Sequence, residues 1–235
     1  MTNLCLKNEI HEKPKAFLKQ TTKCYNIKNE ARMYIFIKRV FDLVLSLIGI
    51  IFLIPLYLLI RLIYICTGDF HRIIFIQTRI GKYGKPFKLF KFRTMVINAD
   101  EELKKLLKEP KYQKEWAKFH KISNDPRITK IGRFLRKSSL DEVPQFINVF
   151  FNKLSVIGPR PLVPGELEEH HGDKKLYWSV KPGLTGWWAV NGRSLKNYEE
   201  RLKLEYYYIN HRSLSLDAKI VFKTLSTILK KSGAK

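Results

Sequence analysis

Between Val40 and Cys66 the chain reads VFDLVLSLIGIIFLIPLYLLIRLIYIC, an apolar run in which only Asp42 and Arg61 are charged. As one helix it is long enough to cross a bilayer. Pro55 has no amide hydrogen and its ring meets the carbonyl of Ile51, so a kink or break is expected there. At ~1.5 Å per residue the halves Val40–Ile54 and Leu56–Cys66 cover roughly 22 and 16 Å, each short of a hydrocarbon core of about 30 Å. Both flanks are basic, with Lys28, Arg32, Lys38 and Arg39 before the run and Arg72, Arg79, Lys82, Lys85, Lys88, Lys91 and Arg93 after it. A spanning helix usually shows an imbalance. The expectation is therefore a helix-break-helix hairpin over residues 34–66 that enters the membrane, bends at Pro55 and returns. A plain spanning helix with a tolerated proline is the alternative. The run starts too late for a cleaved signal peptide and reads as a retained anchor, preceded by a polar basic extension over residues 1–33.

Beyond the run, residues 67–235 show the mixed periodicity of a folded domain. Ile73–Thr78 and Pro86–Met95 read as strands around a Lys82-Tyr83-Gly84 turn. Ala99–Leu107 reads as a helix interrupted at Pro110, and a second helical stretch runs to Lys121. Asp125-Pro126 opens another, with Ile128, Ile131, Phe134 and Leu135 as its apolar stripe and Lys130, Arg133, Arg136 and Lys137 as its cations. Ser139-Leu140-Asp141-Glu142 has the Ser-x-x-Glu spacing of a capping box opening a helix toward Phe151, and Pro144 fits best if that helix starts nearer Asp141. Leu216, Ile220, Val221, Leu225, Ile228 and Leu229 mark a C-terminal amphipathic helix suited to a membrane surface. The expected fold is α+β, mostly helical with a few short strands, attached to the membrane hairpin.

Charge narrows the partners. Lys and Arg outnumber Asp and Glu by 44 to 21, a formal charge of +23, which calls for nucleic acid, acidic lipid or a phosphorylated substrate. Cys5, Cys24 and Cys66 stand far apart with no Cys-x-x-Cys pair, so neither a disulfide framework nor a zinc site is indicated. A reducing compartment fits. His170 and His171 are assigned no role.

Four segments carry candidate chemistry: Lys91-Phe92-Arg93-Thr94-Met95, Arg136 to Glu142, Gly158-Pro159-Arg160-Pro161, and Lys181-Pro182-Gly183-Leu184-Thr185-Gly186-Trp187 running on to Asn191-Gly192-Arg193. Singly, each has a structural account: an acidic pair caps a first turn, an arginine between prolines punctuates a loop, and Trp187 and Trp188 fill a core or sit at a membrane interface. Together they supply a carboxylate able to attack or to bind Mg²⁺ and rigidly displayed cations for a pyrophosphate.

In order and spacing these segments resemble the monotopic phosphoglycosyl transferases, the bacterial sugar transferase family, from Lys38-Arg39-Val40-Phe41-Asp42 to Lys231-Ser232-Gly233. The resemblance implies a re-entrant hairpin bent at Pro55 and a catalytic pair, Asp141 and Glu142. It implies that Asp141 attacks the β-phosphate of a UDP-sugar and releases UMP, and that polyprenyl (undecaprenyl) phosphate then collects the phosphosugar from the enzyme. Mg²⁺ would bridge the Asp141 carboxylate and phosphate oxygens, and Lys91, Arg136, Arg160 and Arg193 fall on phosphate- and substrate-binding positions. The implied setting is the bacterial inner membrane, with the catalytic domain on the cytoplasmic face and on anionic lipid, at the first membrane step of polysaccharide or glycoconjugate assembly. Nucleic acid is not expected as a partner; the sugar and homo-oligomer formation are left open. Two positions depart from the family pattern: Ile54 replaces a Ser before the bend proline, and Lys153 replaces an Asp before Gly158-Pro159-Arg160-Pro161. The rivals are a membrane-tethered nucleic-acid-binding protein, a phosphate-ester hydrolase using the same aspartyl chemistry, and a catalytically silent scaffold.

Overall fold

A computed structural model describes residues 32–119, 122–192 and 197–229. The apolar run forms a single 35-residue helix, α1 (Arg32–Cys66), with Pro55 inside it. The break expected at Pro55 does not interrupt the helix, because a proline costs one backbone hydrogen bond that a bend can absorb without ending the element. One stripe of α1 is buried: Asp42, Ser46, Gly49, Leu53, Leu56, Ile60 and Tyr64, at helical three-to-four spacing. The other faces are open, and Ile51, Ile54 and Leu58 are each more than half exposed. Gly49 has to be glycine, since a Cβ there would collide with the Phe146 ring.

The hairpin forms as expected. Strand β1 (Ile74–Ile80) pairs antiparallel with β2 (Pro86–Phe92) around the tight turn Lys82–Gly84, where Tyr83 takes φ 61°. Helices α2 (Ala99–Leu106) and α3 (Pro110–Phe119) follow.

Two boundaries differ from expectation. The next helix, α4 (Lys130–Ser138), starts not at Asp125 but after Thr129, whose hydroxyl accepts the Gly132 amide at 2.9 Å. The Asp125 carboxylate is already committed to the backbone and guanidinium of Arg127, at 3.0 and 2.6 Å. Of the predicted stripe, Leu135 is buried but Phe134 is 64% exposed.

The capping box also fails to form. Ser139 adopts φ 58° and ends α4, its amide bonding back to Arg136, and makes no side-chain cap bond. Leu140–Glu142 is a 3-10 turn, and α5 (Gln145–Phe150) begins only after Pro144.

Strand β3 (Ser155–Ile157) then pairs parallel with β4 (Gly183–Thr185), with short helices α6 (Glu166–Glu169) and α7 (Lys174–Tyr177) between them. A Cβ on Gly183 would strike the Gly158 backbone, so both glycine-framed segments are needed for this close pairing. The chain continues through α8 (Trp187–Val190), α9 (Tyr198–His211) and α10 (Leu214–Leu229). On α10 Ile220 is fully buried, whereas Phe222 and Leu225 are exposed.

The core has two parts. Leu89, Val149, Leu154, Ile157, Tyr206 and Ile209 join the hairpin to α5, β3 and α9. Leu53, Leu56, Ile60 and Tyr64 of α1 pack with Phe92 and Leu135. The elements carrying the acidic pair are therefore seated directly on the apolar helix, through Leu140, Val143 and Ile147.

Candidate active site

The acidic pair is held between β2 and α4. Because α4 stops at the left-handed Ser139, its last turn presents Arg136 beside the 3-10 turn of Asp141 and Glu142. Lys91 on β2 reaches Glu142 Oε1 at 3.0 Å, and the Arg136 Nε donates to Thr94 Oγ1 at 2.9 Å. Burial is the main influence that raises Asp141 to about 6, and the adjacent Glu142 adds to it, while Lys91 and Arg136 act in the opposite direction. Glu142 spends its carboxylate on Lys91 rather than on a cap. Four of the predicted residues, Lys91, Arg136, Asp141 and Glu142, thus belong to one constellation.

Arg160 follows β3. Its amide donates to Glu205 Oε1 at 2.9 Å and its carbonyl accepts the Tyr177 hydroxyl at 2.9 Å, so the backbone is pinned on both sides while the side chain stays exposed. The guanidinium lies over Trp188, 5.6 Å from the ring centre. Arg193 lies outside the described residues. Pro55 lies within α1, between Leu53 and Leu56, which pack in the same cluster as Leu140 and Val143.

Sequence reasoning missed a set of buried charges beside Arg160. Arg79 donates to Gln77 and to the Pro161 carbonyl and is lowered to about 10, first by burial and then by Arg160. Glu166, and to a smaller extent Glu142, act on the same guanidinium with opposite sign. Arg201 stacks on Trp188 and Tyr198 and pairs with Glu166 at 3.2 Å. Glu205 is fully enclosed and burial raises it to about 7.

Several buried polar atoms here find no hydrogen-bond partner among the described residues: Nε of Arg79, Nε and Nη2 of Arg201, Nε1 of Trp188 and Oε2 of Glu205. Unpaired buried donors are costly unless a ligand or water completes them. A faint signal existed for two of these residues, because Arg201 and Glu205 share a face at i and i+4 of a capped helix; for Arg79 the strand pattern carried none.

Among the described residues no cluster of three or more His, Cys, Asp or Glu side chains could hold a metal ion. Two carboxylates suffice for Mg²⁺, which keeps several waters and takes further oxygens from substrate phosphates. The crowded Asp141–Glu142 pair fits that donor set. At the second departure from the family pattern, Lys153 is exposed in the turn after α5, and its amide donates to the Asn148 carbonyl at 2.9 Å.

The family model described as "Bacterial sugar transferase" matches residues 33–231. The "UDP-galactose-lipid carrier transferase" of Erwinia amylovora is 44% identical over 200 residues, covering 85% of this chain and 42% of that protein. The "Undecaprenyl-phosphate galactose phosphotransferase" of Salmonella typhimurium matches with the same identity and coverage. "Exopolysaccharide production protein ExoY" of Sinorhizobium fredii is 38% identical over 198 residues, covering 84% of this chain and 87% of its own length. The chain thus spans less than half the length of the first two relatives and nearly all of the third. With the acidic pair, its lysine and its arginines assembled on a long apolar helix, and with the family match running over almost every described element, the chain belongs to the bacterial sugar transferase family.

Proposed function

We propose that the chain transfers a sugar 1-phosphate from a UDP-sugar to polyprenyl phosphate, as the first membrane step of exopolysaccharide or glycoconjugate assembly. The observation that carries this is the Asp141 carboxylate, partly desolvated, unclaimed by capping, and flanked by Lys91 and Arg136. An Asp141 oxygen attacks the β-phosphorus of the UDP-sugar; the bond from that phosphorus to the bridging oxygen breaks, and UMP leaves with the electron pair. An oxygen of polyprenyl phosphate then attacks the same phosphorus, the ester bond to Asp141 breaks, and the carboxylate is regenerated. Lys91 holds Glu142 in place, and Arg136 and Arg160 bind phosphate oxygens. The open donors of Arg79 and Arg201 receive further acceptor atoms of the donor substrate. Asp141, supported by Glu142, would hold Mg²⁺, which when bound neutralises phosphate charge.

The membrane reading rests on how α1 meets the domain. Lys38 near one end pairs with Asp217 of α10 at 2.7 Å, and Tyr64 near the other donates to the Arg93 carbonyl at 2.7 Å. Straight helix between them measures roughly 39 Å, more than a hydrocarbon core of about 30 Å, yet both ends rest on the same domain. A spanning course would place that one domain on both faces of the bilayer. A helix that dips into one leaflet and keeps both flanks on the cytoplasmic side of the inner membrane avoids this, and sets the exposed faces of α1 against lipid.

A screen of UDP-sugars beginning with UDP-galactose, using detergent-solubilised protein, undecaprenyl phosphate and Mg²⁺, tests the proposal by UMP release. UMP and lipid-linked sugar phosphate should appear together. Free sugar phosphate formed without acceptor would instead identify a hydrolase.

A further inference from the structure

At the first turns of α1, on the side away from the acidic pair, a small cavity is lined by five cations: Lys38, Arg39, Lys82, Lys181 and Arg212. The carboxylate lining it, Asp42, is buried and accepts from the Val156 amide at 2.8 Å and the Ser155 hydroxyl at 3.0 Å. Asp217 is spent on Lys38, Tyr34 and Tyr208. With five positive and two negative side chains, the cavity keeps a surplus of positive charge. Lys181 registers it: burial first, and then Arg39, Lys82 and Lys38, lower its ammonium pKa, against the opposing pull of Asp42.

The mouth is not purely polar. Ile35 lines it and is 45% exposed, next to the still more exposed Phe36 and within the stretch where α1 becomes apolar. A cationic socket that opens onto an apolar helix face matches a phosphate carrying hydrocarbon chains rather than a soluble anion.

We infer that this cavity is a binding site for the phosphate headgroup of an anionic phospholipid, whose acyl chains lie along the exposed face of α1 beyond Ile35. The site is separate from the chemistry. Arg39 donates to the Val149 and Phe150 carbonyls at the end of α5, whereas Asp141 precedes the start of that helix. Helix α5 lies between them, and its helical rise alone spans roughly 8 Å, out of reach of an in-line attack by Asp141. A lipid held here would instead lock α1 at its depth in the leaflet, and with it α5, β3 and α10, which Arg39, Asp42 and Lys38 grip. The inference rests on the membrane reading above but not on the transferase chemistry.

The test is native mass spectrometry of the full chain in detergent, titrated with phosphatidylglycerol, phosphatidylcholine, undecaprenyl phosphate or inorganic phosphate, with no UDP-sugar present. Wild type should retain one phosphatidylglycerol with about tenfold preference over phosphatidylcholine. The Lys82→Ala/Lys181→Ala double variant should lose that preference, while Lys108→Ala keeps it and circular dichroism shows both variants folded. An unchanged preference in the double variant would overturn the site. Equal displacement by inorganic phosphate, or retention of undecaprenyl phosphate that is lost in the Lys82→Ala/Lys181→Ala double variant, would overturn its assignment to a phospholipid. Because retention is read without donor, a chain lacking transferase activity would leave this result intact.

Discussion

Lys91 Nζ stands 3.0 Å from Glu142 Oε1, a pair 51 residues apart in sequence that ties strand β2 to the turn bearing the acidic pair. The contact takes Glu142 out of any capping role and places a cation next to Asp141. It is also half-exposed, so its value lies in orientation more than in stability.

Asp141→Asn should lower turnover by at least about 1,000-fold, since the amide cannot form the phosphosugar ester. Intact mass after incubation with a labelled UDP-sugar and Mg²⁺, without acceptor, should show an adduct on wild type and none on the variant. Near-normal lipid-linked product from the variant would remove Asp141 from the mechanism.

The same substitution should stabilise the fold at neutral pH. With a folded value of about 6 against 3.8 ordinarily, folded Asp141 binds its proton more tightly than the unfolded chain does. Stability therefore falls as pH rises between those values, and the penalty persists above them. Without donor or divalent ions, Asp141→Asn should melt roughly 2–4 °C above wild type at about pH 7.5 and level with it below pH ~4. A variant that melts lower at neutral pH would show that ionised Asp141 is a stabilising group.

Arg160→Lys should reduce kcat/KM by about 10- to 100-fold, because a guanidinium pinned at its backbone binds phosphate with two parallel bonds and an ammonium cannot. Lys108→Arg, on an exposed turn, serves as the control and should be neutral. Equal activity at matched expression would take Arg160 out of the site.

Asn148 bridges β2 and α5, accepting the Phe90 amide at 3.1 Å and donating to the Lys88 carbonyl at 2.7 Å. Asn148→Ala strands both backbone groups in the core and should cost about 2–4 kcal/mol, read as a fall in melting temperature. Turnover of the surviving folded fraction should fall as well, since the bridge sets Lys91 against Glu142. A melting temperature unchanged from wild type would show that the bridge does not hold the hairpin to α5.

The topology is open to cysteine labelling. In a background with Cys5, Cys24 and Cys66 replaced by serine, Met33→Cys and Phe75→Cys both lie at exposed positions on either side of the apolar run. An impermeant maleimide should reach both only after the inner membrane is permeabilised. Labelling of position 33 in intact spheroplasts, with position 75 protected, would establish a spanning helix.

Local pattern was enough for much of this protein. The apolar run, the β1–β2 hairpin, the interruption at Pro110, and the amphipathic C-terminal helix follow from periodicity and turn residues, which act over a few neighbours. Asp141, Glu142, Lys91, Arg136 and Arg160 could be singled out as candidates because they lie in short motifs, and the structure brings the first four together. Tertiary structure decided which partners those motifs meet. Ser139-x-x-Glu142 reads as a cap until the left-handed Ser139 and distant Lys91 remove that option, and Asp125 reads as a helix start until Arg127 claims its carboxylate. Arg79 lies on β1 and Arg201 and Glu205 on α9, and they meet only when β1, α9 and the Arg160 loop converge. For helix α1 the sequence did not show that both of its ends rest on one domain, the contacts on which the proposed membrane course depends. Apart from the Asp125–Arg127 pair, the deciding interactions join residues far apart in sequence, and burial gives such long-range contacts their energetic weight by excluding the water that would otherwise screen them.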